Sequence, residues 1–106
     1  MITEIVLFEL PAGIRREAVM EKYRQTAPAW ARNEDLLHKF YFFNAERSQG
    51  GGVYVWKNMA AALRWHGEEY RARIRSLYGS EPQMSYFDTL TVVDNLRQQV
   101  SEPEQA

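Results

Sequence analysis

A chain of 106 residues is long enough for one domain, and its formal net charge of -1 offers no broad basic surface to nucleic acid or to an anionic membrane. The chain has no cysteine, which excludes disulfides and thiolate chemistry. No apolar run approaches the roughly 20 residues that span a bilayer, and residues 1–4 do not resemble a signal peptide, so we expect a soluble cytoplasmic protein.

The amino-terminal third of the chain predicts a strand followed by a helix. Apolar alternation over residues 2–10 places Val6 and Phe8 on one face of a strand. Residues 14–32 then predict a helix, because apolar side chains recur at three- and four-residue steps: Val19, Tyr23, Ala27 and Trp30. Pro28 lacks a backbone donor and predicts a kink or break near residues 26–28.

The remaining chain predicts two strands, a helix and a last strand. Residues 36–45 and 51–56 form the two strands, and the glycines at 50–52 indicate a bulge or bend between them. A helix over residues 59–78 ends at Gly79, with this inner face: Met59, Leu63, His66, Tyr70, Ile74 and Leu77. Residues 83–93 predict the fourth strand, and residues 96–106 a polar tail that frays unless it docks on a partner.

The order β-α-β-β-α-β predicts an α+β fold of the ferredoxin-like type over residues 1–95. Right-handed crossovers place both helices on one face of a four-stranded antiparallel sheet. The runs at 40–43 and 53–56 are apolar or aromatic on both faces, and two helices cover only one of them. We therefore expect a homodimer in which a second sheet covers the other face.

Several motifs resemble one known family across residues 2–95. They are Gly-Gly-Val-Tyr-Val-Trp at 51–56 before an alanine-rich helix, Tyr-Arg-Ala-Arg-Ile at 70–74, Tyr-Phe-Asp at 86–88 and Val-Val-Asp-Asn at 92–95. In these the chain is similar to the YdhR-like monooxygenase proteins, small dimeric α+β barrels related to antibiotic biosynthesis monooxygenases. The resemblance implies a pocket between sheet and helices, and oxidation of aromatic polyketides or quinols without metal or flavin. Residues 34–35 depart from the family's usual Pro-Gly turn.

A more distant branch of the same superfamily degrades haem, and the segment from Val55 to Trp65 is similar to it. Trp65 stands where that branch has a ring-distorting tryptophan. Arg75, however, stands where that branch has its axial histidine, and the first strand lacks the required asparagine. The sequence therefore favours haem degradation less than monooxygenase activity.

Two histidines are the candidate catalytic bases. His66 lies on the predicted inner stripe of the second helix, where a histidine is either a core residue or a base for a phenolic proton. His38 is the competing candidate, and its face depends on strand register. Two histidines fall short of the three ligands of a catalytic zinc site, so we expect no metal. The family resemblance implies that no cofactor is needed either.

Aromatic side chains and one lysine are the candidate walls of a substrate pocket. The aromatic candidates are Trp65, Tyr70, Tyr41, Tyr86 and Trp56. Lys39, in an apolar strand, either extends to the sheet edge or offers a charge to an anionic substrate. Asp88 interrupts the fourth strand, and a cross-strand pair with Lys39 or with an arginine is the alternative for it. RNA-recognition domains share this element order, but their basic aromatic signature is missing from the third strand.

These residues and the resemblance together indicate a cofactor-independent monooxygenase for a small aromatic or quinol-type compound. The alternative is a non-catalytic dimer that binds a small molecule or serves in a stress response.

Overall fold

The computed structural model describes residues 1–103 as an α+β fold in which three helices cover one face of a four-stranded antiparallel sheet. The elements are β1 Ile2–Glu9, α1 Arg16–Ala31, β2 Leu36–Asn44, β3 Gln49–Trp56, α2 Met59–Trp65, α3 Glu68–Tyr78, β4 Gln83–Asp88, β5 Val92–Asp94 and β6 Gln99–Ser101. The strand order β2-β3-β1-β4 is compatible with the predicted ferredoxin-like arrangement. No helix within residues 1–103 is long and apolar enough to cross a membrane.

The face of the sheet that lies under the helices, called the inner face, holds the core. On β1 the alternation predicted from sequence is confirmed, because Val6 and Phe8 are buried whereas Ile5 is 39% exposed. Helix α1 contributes Val19 and Tyr23 to the same core, as its apolar stripe predicted. The opposite, outer face carries no helix of the described chain and keeps large apolar side chains in solvent.

Helix α1 continues unbroken past Pro28, although the sequence predicted a kink or break there. Pro28 removes the donor that would bond the carbonyl of Arg24, and both residues are exposed on the wet side of the helix. Water can solvate that carbonyl, which explains why the helix reaches Ala31.

The predicted second helix is two helices. Asn58 caps the first, α2, and its Oδ1 accepts a hydrogen bond from the Ala61 amide at 2.9 Å. Gly67 takes an extended conformation with φ -83° and ψ -159°, which stops α2, and two glutamates occupy the first turn of α3. The break changes the helical phase, so Met59 and Leu63 of the predicted inner face are exposed while Ala61 and Ala62 are buried.

The last predicted strand is shorter than expected. It ends at Asp88, and Val92–Asp94 pairs instead with Gln99–Ser101 in a separate two-stranded sheet. Part of the segment expected to fray is therefore a hairpin, and the last three residues of the predicted tail, 104–106, lie outside the described residues.

Candidate functional site

A row of polar side chains crosses the inner face of the sheet under the helices. Lys39 on β2 pairs in register with Tyr54 on β3, Tyr54 pairs with Glu4 on β1, and Glu4 pairs with Tyr86 on β4. Side chains of directly paired residues point to the same face of an antiparallel sheet. One register position thus brings together four polar groups in an otherwise apolar core.

The amino group of Lys39 lies among aromatic rings. Its Nζ atom is 3.7 Å from the ring centre of Tyr54, 4.1 Å from that of Tyr41 and 4.9 Å from that of Trp30. It is hydrogen-bonded to the Tyr54 hydroxyl, and within residues 1–103 it forms no ion pair. The predicted alternative of a pair with Asp88 is wrong, because β2 and β4 lie at opposite edges of the sheet.

Burial lowers the pKa of Lys39 to about 6, and the nearby Glu4 raises it by a smaller amount. Aromatic faces attract an ammonium ion. The same three rings also exclude water, however, and the attraction of Glu4 compensates for only part of the lost hydration. Desolvation therefore dominates, and Lys39 carries a neutral amine at neutral pH.

Two tyrosine hydroxyls continue the contact from Lys39 toward α3. The Tyr54 and Tyr70 hydroxyl oxygens lie 3.1 Å apart, and either can be the donor. Burial raises the pKa of both phenols, that of Tyr54 well above its usual value. Both side chains therefore stay protonated and remain able to donate hydrogen bonds.

Glu4 occupies the centre of the row and has no solvent exposure. The Trp56 indole N–H donates a hydrogen bond to Glu4 Oε1 at 2.8 Å, and His66 Nδ1 lies 2.7 Å from the same oxygen. His66 Nδ1 makes no hydrogen bond within the described residues, so it and this oxygen are in close contact only. Burial lowers the pKa of His66 against the opposing effect of Glu4, which leaves the ring neutral at neutral pH.

Lys39 lines both a small cavity under the helices and a wider groove that is more open to solvent. The inner cavity, about 30 Å³, is lined among others by Lys39, Tyr41, Tyr54, Tyr70 and Trp30. The β2 groove, about 250 Å³, opens at the edge of the sheet and is lined by Ala27, Trp30, Ala31, Leu36, Leu37, His38, Lys39 and Tyr41. The cavity has room for about one water, whereas a benzene ring needs roughly 150 Å³, so of these two spaces the groove is the one that can hold a ring.

The predicted base His66 is a core residue that does not line the cavity. It is 3% exposed and stacks on Tyr70 with ring centres 3.7 Å apart. Trp56 is fully buried behind it, and Tyr86 faces Glu4 from β4, where burial and then Glu4 raise its pKa to about 12. Among these predicted residues only Tyr70 lines the inner cavity.

Of the other predicted catalytic and pocket residues, His38 lies toward solvent. His38 is exposed, because it pairs with Val55 and alternates with the inward-facing Lys39, which places its side chain on the outer face. It nevertheless lines the β2 groove together with two other predicted residues, Lys39 and Tyr41. The Tyr41 hydroxyl lies 2.6 Å from the Thr26 hydroxyl.

The residues compared with the haem-degrading branch are engaged in surface contacts. Trp65 is 41% exposed, and its indole N–H donates to Asp35 Oδ2 at 2.9 Å. Arg75 forms ion pairs with Glu68 at 2.8 Å and Glu81 at 2.7 Å. Within residues 1–103, no group of three or more metal-binding side chains is present.

Sequence reasoning missed Glu4 and left Tyr54 out of the candidate site residues. The signal for Glu4 was available, because a carboxylate stands at the inward position between Ile2 and Val6 of a regularly alternating strand. A charged residue is seldom fully buried without a partner, so its position predicts a polar group opposite.

The chain matches no protein-family model, and no curated protein is significantly similar to it.

Proposed function

We propose that this chain is a cytoplasmic homodimer of the cofactor-independent monooxygenase type. It binds a small phenol or quinol in the β2 groove, and the neutral amine of Lys39 removes the phenolic proton. The observation that carries the proposal is the Lys39 amino group, which is held without an ion pair among three aromatic rings at the wall of the groove.

Cofactor-free oxygenation requires a substrate that can itself reduce oxygen. A phenolate is far more electron-rich than its phenol, so the protein must supply a base and a surface for a flat ring. A base is most effective when its pKa lies near the working pH, and burial brings the pKa of Lys39 to about 6. After proton transfer the ammonium ion stabilises the phenolate, and the surrounding rings then favour its charge.

Lys39 is better placed for this role than either predicted histidine. His66 is separated from the cavity by Tyr54 and Tyr70 and is occupied by its contact with Glu4. His38 lines the groove but is exposed, so water surrounds it. The prediction of a histidine base remains open to the experiment below.

The small inner cavity favours a second candidate function. With about 30 Å³ beside the amine, a ring cannot reach the interior unless Trp30 or Tyr41 moves. A protein that only binds a small aromatic compound in the groove needs no such movement. Ligand binding without oxygen consumption would support this non-catalytic function.

The outer face of the sheet supports the proposed dimer of the α+β barrel type. Phe40, Phe87 and Ile5 are 61%, 52% and 39% exposed, and they share this face with Val53 and Val55. Exposed apolar patches of this kind mark interaction surfaces. A second copy offers the same apolar surface, and a two-fold axis brings identical patches together.

The function is tested by following oxygen uptake with a panel of anthrones and quinols. We expect Lys39→Met to reduce the rate by at least about 100-fold, the usual scale of a lost general base, while Lys57→Met leaves it unchanged. The His38→Ala and His66→Ala double variant tests the predicted bases, with circular dichroism as the check on folding. Oxygen uptake that persists in Lys39→Met removes Lys39 from the mechanism.

A further inference from the structure

The amine of Lys39 has the two properties of a lysine nucleophile, a free electron pair and a hydrogen-bonding acid beside it. Its Nζ has no carboxylate partner in the described chain, and its hydrogen-bond partner is the hydroxyl of Tyr54. A buried amine without an ion pair is neutral, because desolvation disfavours the ammonium form. Neutral lysine amines in apolar sites attack carbonyl carbons.

We propose that Lys39 captures small aromatic aldehydes covalently, as a Schiff base at Nζ. This goes beyond the function proposed above, since it requires neither oxygen nor an acidic phenol. Capture and oxygenation share the neutral amine, but each can occur without the other.

The reaction balances with groups present in the site. The Nζ electron pair forms a bond to the aldehyde carbon, and the carbonyl oxygen takes up a proton while Nζ loses one, which gives a carbinolamine. The Tyr54 hydroxyl then protonates the carbinolamine oxygen, water leaves, and a carbon–nitrogen double bond forms. The remaining Nζ proton returns to the Tyr54 oxygen, so the sum is amine plus aldehyde giving imine plus water.

Tyr54 is suited to this proton transfer by its contacts. Its hydroxyl touches the amine on one side and lies 3.1 Å from the Tyr70 hydroxyl on the other. Tyr70 can donate to the Tyr54 oxygen while Tyr54 gives up its proton, which stabilises the transient phenolate. The inner cavity of about 30 Å³ beside these groups has room for the water that leaves.

The ligand class follows from the walls of the β2 groove. Trp30, Tyr41, Leu36 and Leu37 give it an apolar and aromatic surface of about 250 Å³, enough for a single substituted ring. Among the described residues that line it, the basic side chains are Lys39, whose amine is neutral, and the exposed His38, so a charged aliphatic aldehyde gains little there. An aromatic aldehyde places its ring in the groove and its carbonyl carbon against Nζ.

The test is reductive trapping in the full chain. The protein is incubated with benzaldehyde and sodium cyanoborohydride at pH 7, and the benzyl adduct is located by peptide mass spectrometry. The three lysines serve as internal comparisons. We expect Lys39 to be modified at least about tenfold faster than Lys22 or Lys57, because an ordinary solvated amine, with a pKa near 10.4, is almost fully protonated at this pH.

Two further measurements make the outcome decisive. Glyoxylate in place of benzaldehyde is expected to modify Lys39 at least about tenfold more slowly if the apolar groove selects the ring. Tyr54→Phe, confirmed as folded by circular dichroism, is expected to slow trapping by at least about tenfold. Equal modification of all three lysines, or no adduct at Lys39, overturns the proposal whatever the oxygen-uptake experiment gives. An unchanged rate in Tyr54→Phe overturns the role of Tyr54.

Discussion

His66 Nδ1 and Glu4 Oε1 lie 2.7 Å apart, and both side chains are closed off from solvent. The same glutamate oxygen accepts a hydrogen bond from the Trp56 indole N–H. One carboxyl group therefore contacts side chains from two different elements. Glu4 therefore joins β1 to β3 and to the end of α2, beneath the helix break that the sequence did not predict.

Removing this carboxyl group is expected to destabilise the fold strongly. Glu4→Ala leaves the Trp56 N–H buried without an acceptor and opens a cavity, and we expect a loss of about 2–4 kcal/mol in the free energy of unfolding. Glu4→Gln keeps an oxygen acceptor for the Trp56 N–H, so we expect a smaller loss in the free energy of unfolding. Urea unfolding measures both, with Glu9→Ala on the exposed side of β1 as the control. Equal stability of Glu4→Ala and Glu9→Ala would contradict this role.

Lys39 is expected to make the protein more stable as the pH rises from about 6 to about 10. The folded state has a pKa of about 6 at this residue, and the unfolded chain has one near 10.4. Between these values the unfolded state binds a proton that the folded state does not, so the free energy of unfolding rises with pH.

Lys39→Met removes this difference in proton binding. We expect the variant to be about 2–4 kcal/mol more stable than the wild type at pH 7, with a flatter dependence on pH. Urea unfolding at several values from pH 6 to 9 measures both effects, and Lys57→Met is the exposed control. A wild-type stability that stays constant over this range shows that the amine is not desolvated.

The α+β class and the four-stranded antiparallel sheet could be predicted because the hydrophobic period is clear in the long segments, as in the alternation around Val6 and the stripe through Tyr23. The helix break at Gly67 could not be predicted, because a glycine inside a helix costs only about 1 kcal/mol and often leaves the helix intact. The break also depends on tertiary contacts, such as that of His66 with Glu4, which add to the tendency of Gly67 to end a helix.

The candidate site was predicted by residue type more than by position. Lys39 and Tyr70 were named among the site residues, but the burial that makes Lys39 neutral depends on Trp30 and Tyr41 closing around it. The bulge before His38 shifts the strand by one residue, and such a shift leaves no clear mark in the sequence. Pairing across the sheet is a long-range property, which the local pattern does not contain.

Tyr23→Phe is expected to weaken the contact between β2 and β3. The Tyr23 hydroxyl donates to the Phe42 carbonyl at 2.8 Å and accepts from the Gly51 amide at 3.0 Å, so it bridges the two strands. Losing it removes one hydrogen bond from each of these backbone groups, and we expect a loss of about 1–3 kcal/mol. Tyr78→Phe is the control, because within residues 1–103 its hydroxyl makes no hydrogen bond. Thermal and urea unfolding compare the two variants, and equal losses would contradict the bridging role.

Gly51→Ala is expected to prevent normal pairing of β3 with β1. Gly51 has φ +149°, and a Cβ atom there would lie 1.9 Å from the Val6 carbonyl oxygen, which belongs to the backbone and cannot rotate away. We expect a loss of more than about 3 kcal/mol, or insoluble protein. Gly79→Ala is the control, since that glycine has φ +82° with open space around it and should lose only about 1 kcal/mol. Soluble yield and the urea midpoint distinguish the two, and a stable Gly51→Ala protein would contradict the close approach.

Phe40→Glu is expected to dissociate the proposed dimer. Phe40 is 61% exposed and stands on the outer face opposite Val53, so pairing two such faces would bury the new carboxylate without a partner. We expect the dissociation constant to rise by at least about tenfold, measured by sedimentation velocity over a series of micromolar concentrations. Leu63→Glu is the matched control, because Leu63 is 58% exposed on α2, away from the outer face. A wild-type protein that sediments as a single subunit throughout this range would show that the outer face is not the interface, and the apolar side chains of β2 would then need another explanation.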